Sequence, residues 1–140
     1  MNILSFWLSN ELYGIELTKV KEINRNIEFT KIPKAKADIA GLFNMRGQVV
    51  TLFNLAYILG YDCAIKQGAA TCIILKCEPG SPNQHGFMID KSGDVIEVAD
   101  EMFEQPPANV VAQESKYIKS VVRLENELLR MLDPEILFGQ

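Results

Sequence analysis

The chain has 140 residues, 48% of them hydrophobic, with 18 acidic and 14 basic side chains, which suits one ordinary globular domain over 1–140 or two small lobes sharing a core. The basic residues are scattered, which speaks against a nucleic-acid partner, and no apolar run is long enough for direct membrane insertion. The first 14 residues lack secretory-leader signals and the three cysteines form no disulfide framework, so the expected compartment is a reducing cytoplasm.

In chain order the pattern predicts short strands separated by turn signals. Residues 3–8 and 12–17 flank the polar turn Ser9-Asn10-Glu11 as a first hairpin. The hexapeptide TKVKEI, 18–23, fits either one helical turn or a continuing strand, because so few residues satisfy both periods. Residues 27–32 alternate as a strand until Pro33 removes a donor, and the following KAKAD has loop composition. Strands 39–45 and 48–53 make a second hairpin that bends at Arg46-Gly47, where glycine supplies a positive φ.

Asn54 is placed to cap a short helix, 55–59, that Gly60 stops. The nearly continuous apolar run 70–77 predicts a strand buried on both faces, and EPGSPNQHG, 78–86, an exposed loop that contains His85. Strands 87–90 and 94–98 are expected on either side of a turn at Lys91-Ser92-Gly93, followed by a long connection, 99–116, through Pro106-Pro107. The last hairpin, 117–124 and 128–132, turns at Glu125-Asn126-Glu127 and leads into DPEILF with Asp133 as N-cap and Pro134 at the first helical position. About nine or ten strands at hairpin spacing, with two short helices, point to an all-β barrel or sandwich.

Reactive groups do not converge. His85 is the only histidine, and its loop context reads as an exposed side chain. Cys72 and Cys77 lie five positions apart in one predicted strand, facing opposite sides roughly 17 Å apart, so they cannot share a metal. Cys63 stands alone, and no phosphate-binding, zinc-protease or serine-nucleophile motif occurs. Asp90, Asp94, Glu97, Asp100, Glu101 and Glu104 form an acidic stretch that reads as a solvated edge. A small-molecule or enzymatic barrel built on His85 and those carboxylates is the competing reading, and it would require a closed polar pocket joining them.

Four segments carry a resemblance: FWLSNELYGIELTKVKEI at 6–23, IPKAKADIAGLFNMRGQVVTLFNL at 32–55, GFMIDKSGDVIEV at 86–98 and YIKSVVRLENELLRMLDPEIL at 117–137. In order and spacing they resemble the CheW family of bacterial chemotaxis adaptors. The sequence departs from the family's pattern at Lys36 and Thr51, where proline is common, at Asn54, where aspartate is usual, and at Ser120, where glycine is frequent.

The resemblance implies two five-stranded SH3-like β-barrels on a shared hydrophobic core, with no catalytic activity and no cofactor. It implies a cytoplasmic scaffold joining the tip of a chemoreceptor (a methyl-accepting chemotaxis protein) to the regulatory domain of the chemotaxis histidine kinase. An array serving type IV pilus motility is the alternative within the same fold. Carried over by motif, Val20, Glu22 and Ile23 in KVKEI, Arg46 in NMRG and Val95 in GDVIEV line the receptor side, in a groove between the barrels. The kinase side is expected on the apolar outer part of the first lobe. From periodicity alone, Val20 and Ile23 read as core, Glu22 as a solvated charge and Arg46 as a turn residue. In the partner-binding reading the aliphatics bury an apolar stripe, while the planar fork of Arg46, oriented by Glu22, sets the register.

Overall fold

The computed structural model describes residues 1–34, 36–61, 70–77, 84–107 and 116–138. In chain order the strands are β1 (Asn2–Leu8), β2 (Glu11–Glu16), β3 (Val20–Ile27), β4 (Ile39–Met45), β5 (Gln48–Phe53), β6 (Ala70–Leu75), β7 (Gln84–Ile89), β8 (Lys91–Glu97), β9 (Phe103–Glu104), β10 (Ile118–Arg123) and β11 (Leu128–Leu132). Helix α1 (Leu55–Ile58) follows β5 and helix α2 (Pro134–Phe138) follows β11. The chain divides into two units, Met1–Lys19 with Lys91–Gln140, and Val20–Asp90.

The first unit holds one sheet in the order β8-β1-β2-β11-β10-β9. Its β1–β2 turn closes in two residues because Ser9 and Asn10 both take positive φ, 50° and 66°, the twist that suits a tight hairpin. Ile3, Leu12, Val98, Val122, Leu129 and Met131 form a core cluster against which Trp7, Ile96, Phe103 and Leu124 pack. The Phe6 and Tyr13 rings stack at 5.9 Å, and Arg130, which pairs with Tyr13 across the parallel β2–β11 junction, reaches Glu11 at 2.8 Å. The helix start expected at Asp133 is present, its Oδ1 accepting from the Glu135 amide at 3.0 Å.

Lys91-Ser92-Gly93 is not a turn but the beginning of β8. The preceding strand, β7, belongs to the other sheet, so the chain changes sheets at this point instead of doubling back. The true partner of β8 is β1, some 90 residues away, with a register shift between Leu4 and Phe6 and the Ser5 hydroxyl donating to the Asp94 carbonyl at 2.6 Å.

The second unit holds the order β3-β6-β7-β5-β4. The edge strands β3 and β4 are consecutive in sequence, and a bridge between Thr30 and Leu42, with N–H···O distances of 2.8 and 2.9 Å, brings these edges together. Gly41 makes the approach possible, since a Cβ there would lie 2.4 Å from the Thr30 carbonyl oxygen. Ala40, Phe43, Met45, Val50, Leu52, Cys72 and Ile74 fill the interior, joined by the partly buried Ile27, Phe29 and Met88. The strand expected over 27–32 is therefore interrupted: β3 ends at Ile27, just after Asn26 turns to φ 59°, and the chain returns to the ladder only at Thr30.

The segment TKVKEI, which fitted either helical turn or strand, divides between the two options, a 3-10 turn at Leu17–Lys19 and the start of β3. Asn54 caps α1, its side chain accepting from the Tyr57 amide at 3.3 Å, and Gly60 ends the turn at φ 92°. His85 is not in a loop: β7 begins at Gln84, and the half-buried imidazole meets the Phe53 ring edge-on at 6.1 Å. Cys72 is buried within β6, whereas Cys77 lies beyond the strand's end at Leu75. Cys63, the remainder of the expected loop at 78–83 and the connection at 108–115 lie outside the described residues.

The two sheets share one wiring. In the first, the chain leaves edge strand β8 and lays the two-residue β9 on β10; in the second, it leaves edge strand β3 and lays Thr30 on β4. Each unit thus has five principal strands and a short closing segment, with one parallel pair among the described pairings, β2–β11 or β5–β7. The all-β fold with short helices, laid out in two sheets, is as the resemblance implied.

Candidate partner-binding site

The β4–β5 hairpin bends as its residues dictate. Arg46 takes φ 50° and Gly47 φ 83°, and the Asn44 side chain fastens the bend by accepting from the Gly47 amide at 2.9 Å. Arg46 is thus carried in the two-residue turn at the end of the hairpin, with 67% of its side chain accessible.

The fork of Arg46 is engaged by Glu22 on β3, one carboxylate oxygen accepting from Nη2 and the other from Nη1. This two-point pairing fixes the plane of the guanidinium as well as its position. The Glu22 hydrogen bond, and then its charge, push the Arg46 pKa further up, keeping the cation permanent. Glu22 is the more enclosed partner, at 25% accessibility, so the pair presents its positive side outward.

Beneath the pair, Asn24 donates to the Met45 sulfur at 3.5 Å. Together with the Thr30–Leu42 bridge, these contacts run antiparallel along the line where β3 meets β4. The same Glu22 charge acts on Cys72, whose thiol is pushed up to about 12, first by burial and second by Glu22. That sulfur stays a neutral core atom.

Of the five residues expected on the receptor side, the structure brings Glu22 and Arg46 together. Val20 and Ile23 lie on the same strand as Glu22, half-buried, with Leu75 and Ile73 as their β6 partners. Val95 belongs to the first unit, on edge strand β8, and is 52% exposed. The sequence reading missed Val49, 56% exposed two residues beyond Gly47. Its signal was available: alternation along QVVTLF sends Val50 and Leu52 inward and Val49 outward.

Among the described residues no group of three or more histidine, cysteine or carboxylate side chains is arranged to hold a metal, and no helix is long and apolar enough to cross a membrane. The site has the makings of a protein contact: a fixed fork of charge at a rigid hairpin tip, with aliphatic side chains on the same unit.

The sequence profile of the CheW-like domain matches residues 2–140. The chain belongs to the CheW-like domain family. It is similar to the chemotaxis protein CheW of Treponema pallidum, 31% identical across 98% of this chain and 81% of that one. It is similar also to CheW of Bacillus subtilis, 27% identical across 94% and 82%. Among solved structures, the scaffolding protein TtCheW of Thermoanaerobacter tengcongensis superposes with a TM-score of 0.81 at 24% identity, covering 98% of this chain and 86% of that one, a likeness of fold.

Proposed function

We propose that this CheW-like chain is a non-catalytic adaptor of bacterial chemotaxis that couples the cytoplasmic tip of a chemoreceptor to the regulatory domain of the chemotaxis histidine kinase. The observation that carries the reading is the family match over 2–140, reinforced by relatives that bear the name chemotaxis protein. The protein works in the cytoplasm and reaches the membrane only through its receptor.

On the second unit, Arg46 is the receptor-side anchor. Its fork is planar, permanently charged and already oriented by Glu22, so a partner carboxylate or carbonyl meets a donor set whose ordering cost has been met within the fold. Val20 and Ile23 contribute apolar area from the same strand. On the first unit, Val95 offers a further exposed aliphatic contact. Each of these residues acts by complementarity; none performs chemistry.

The test is titration of a purified chemoreceptor tip with wild-type protein and with Arg46→Glu and Arg46→Lys. Loss of a fixed charge contact at an interface weakens binding by roughly tenfold or more, and the lysine, which lacks the fork, recovers only part of it. Unchanged affinity for Arg46→Glu, with the fold intact by circular dichroism, would remove Arg46 from the receptor side.

A further inference from the structure

Separate from the Arg46 tip, the second unit carries a short basic projection, Lys31, Lys34 and Lys36, between the closing bridge and β4. All three side chains are exposed, and no hydrogen bond or ion pair ties any of them to another described residue. Ile32 stands among them at 37% exposure. Such a concentration is unusual for this chain, in which the first unit has twelve acidic against six basic residues and the second six against eight.

The projection is anchored at both ends. On one side Thr30 is held by both hydrogen bonds of the Leu42 bridge; on the other the Lys36 carbonyl accepts from the Ile39 amide at 3.0 Å and the Asp38 carbonyl from the Asn54 amide at 2.8 Å. Lys34 takes a left-handed φ of 63°, a conformation that glycine or asparagine adopts more readily. Lys34 therefore leaves the backbone at a turn, and its unpaired charge stands with those of Lys31 and Lys36 near the exposed Ile32.

We propose that this loop docks a carboxylate-rich polypeptide segment, with Lys31, Lys34 and Lys36 pairing to acidic side chains and Ile32 covered by an apolar residue between them. A protein segment fits better than an anionic membrane surface. Lipid-binding basic clusters gather about four to eight cations, whereas this loop has three in a chain of net charge −4. Acidic side chains along one face match three exposed cations on a loop whose backbone is held at both ends, with one apolar anchor among them, without bringing in the rest of the surface.

The experiment uses the full chain and a fluorescently labelled synthetic helical peptide with glutamates and leucines along one face, titrated at low and physiological salt. Wild-type protein should bind. The triple variant Lys31→Glu, Lys34→Glu, Lys36→Glu should lose roughly tenfold or more, and Ile32→Asn should lose affinity at both salt concentrations, because its contribution is not Coulombic. Circular dichroism of each variant keeps unfolding apart from loss of contact. Equal binding by the triple variant would overturn the proposal, as would an Ile32→Asn variant indistinguishable from wild type, which would reduce the effect to diffuse attraction. Lysine-dependent cosedimentation with phosphatidylserine vesicles, without binding of the peptide, would overturn it in favour of a lipid surface.

Discussion

Replacing Gly41 by alanine tests how the second unit is closed. A Cβ at that position falls 2.4 Å from the Thr30 carbonyl oxygen, 2.8 Å from Phe29 Cδ2 and 3.0 Å from the Thr30 carbonyl carbon. Two of these neighbours are backbone, so the strain is not relieved by swinging a flexible side chain. The bridge must separate, losing the 2.8 and 2.9 Å hydrogen bonds between Thr30 and Leu42. At about 1 kcal/mol net for each bond, with about 1–2 kcal/mol of residual overpacking, the loss comes to roughly 3–4 kcal/mol. Set against the ~5–15 kcal/mol stability of a typical domain, that is a large fraction. Urea unfolding followed by far-UV circular dichroism measures the change, and hydrogen exchange at the Leu42 amide reports whether the bridge survives. A loss below about 0.5 kcal/mol with the Leu42 amide still protected would refute the argument, because a well-tolerated surface substitution falls within that range.

Other substitutions separate the local causes. Gly47→Ala meets no neighbour within 4 Å, so its cost of about 1 kcal/mol arises from the positive φ alone, and Gly47→Asn should cost less by the same unfolding assay. Asn54→Ala removes the acceptor for the Tyr57 amide and should destabilise by about 1 kcal/mol, with Asn54→Asp closer to wild type. Cys72 gives a pH signature. Its thiol titrates at about 12 in the fold against an ordinary 9.0, so the stability carried by the neutral thiol is complete below pH 9.0 and is lost as pH rises toward 12. Cys72→Ala should decline less steeply than wild type over that window, and parallel declines would contradict the assignment.

Features governed by neighbouring residues were legible in the sequence. The Arg46-Gly47 bend and the Asn54 cap each follow from residue types within a few positions and stand where expected; the first hairpin turns at Ser9-Asn10, one residue shorter than the expected Ser9-Asn10-Glu11, because Glu11 already pairs with Leu8 as the start of β2. Features set by remote partners were not. Lys91-Ser92-Gly93 has turn composition, yet β8 runs through it because β1 supplies its ladder from the other end of the chain. His85 follows a loop-like tract but sits in β7 opposite Thr51, in a parallel pairing that no local period announces. The strand at 27–32 failed for a similar reason: alternation continues through Phe29, while Asn26 bends the backbone and only Thr30 finds a partner on β4. At the candidate site, the pairing of Glu22 with Arg46 was suggested by motif, whereas the exposure of Val49 was readable from alternation and was passed over.

Reconstitution of the coupling tests the central proposal most directly. A chemoreceptor tip immobilised on a surface is exposed to the kinase regulatory domain, alone and with this protein. The account predicts that the kinase domain is retained only when the protein is present, and that Arg46→Glu abolishes retention on the receptor surface while leaving binding to the kinase domain in solution unchanged. Equal retention with and without the protein, or failure of the wild-type chain to bind either partner, would contradict the adaptor reading.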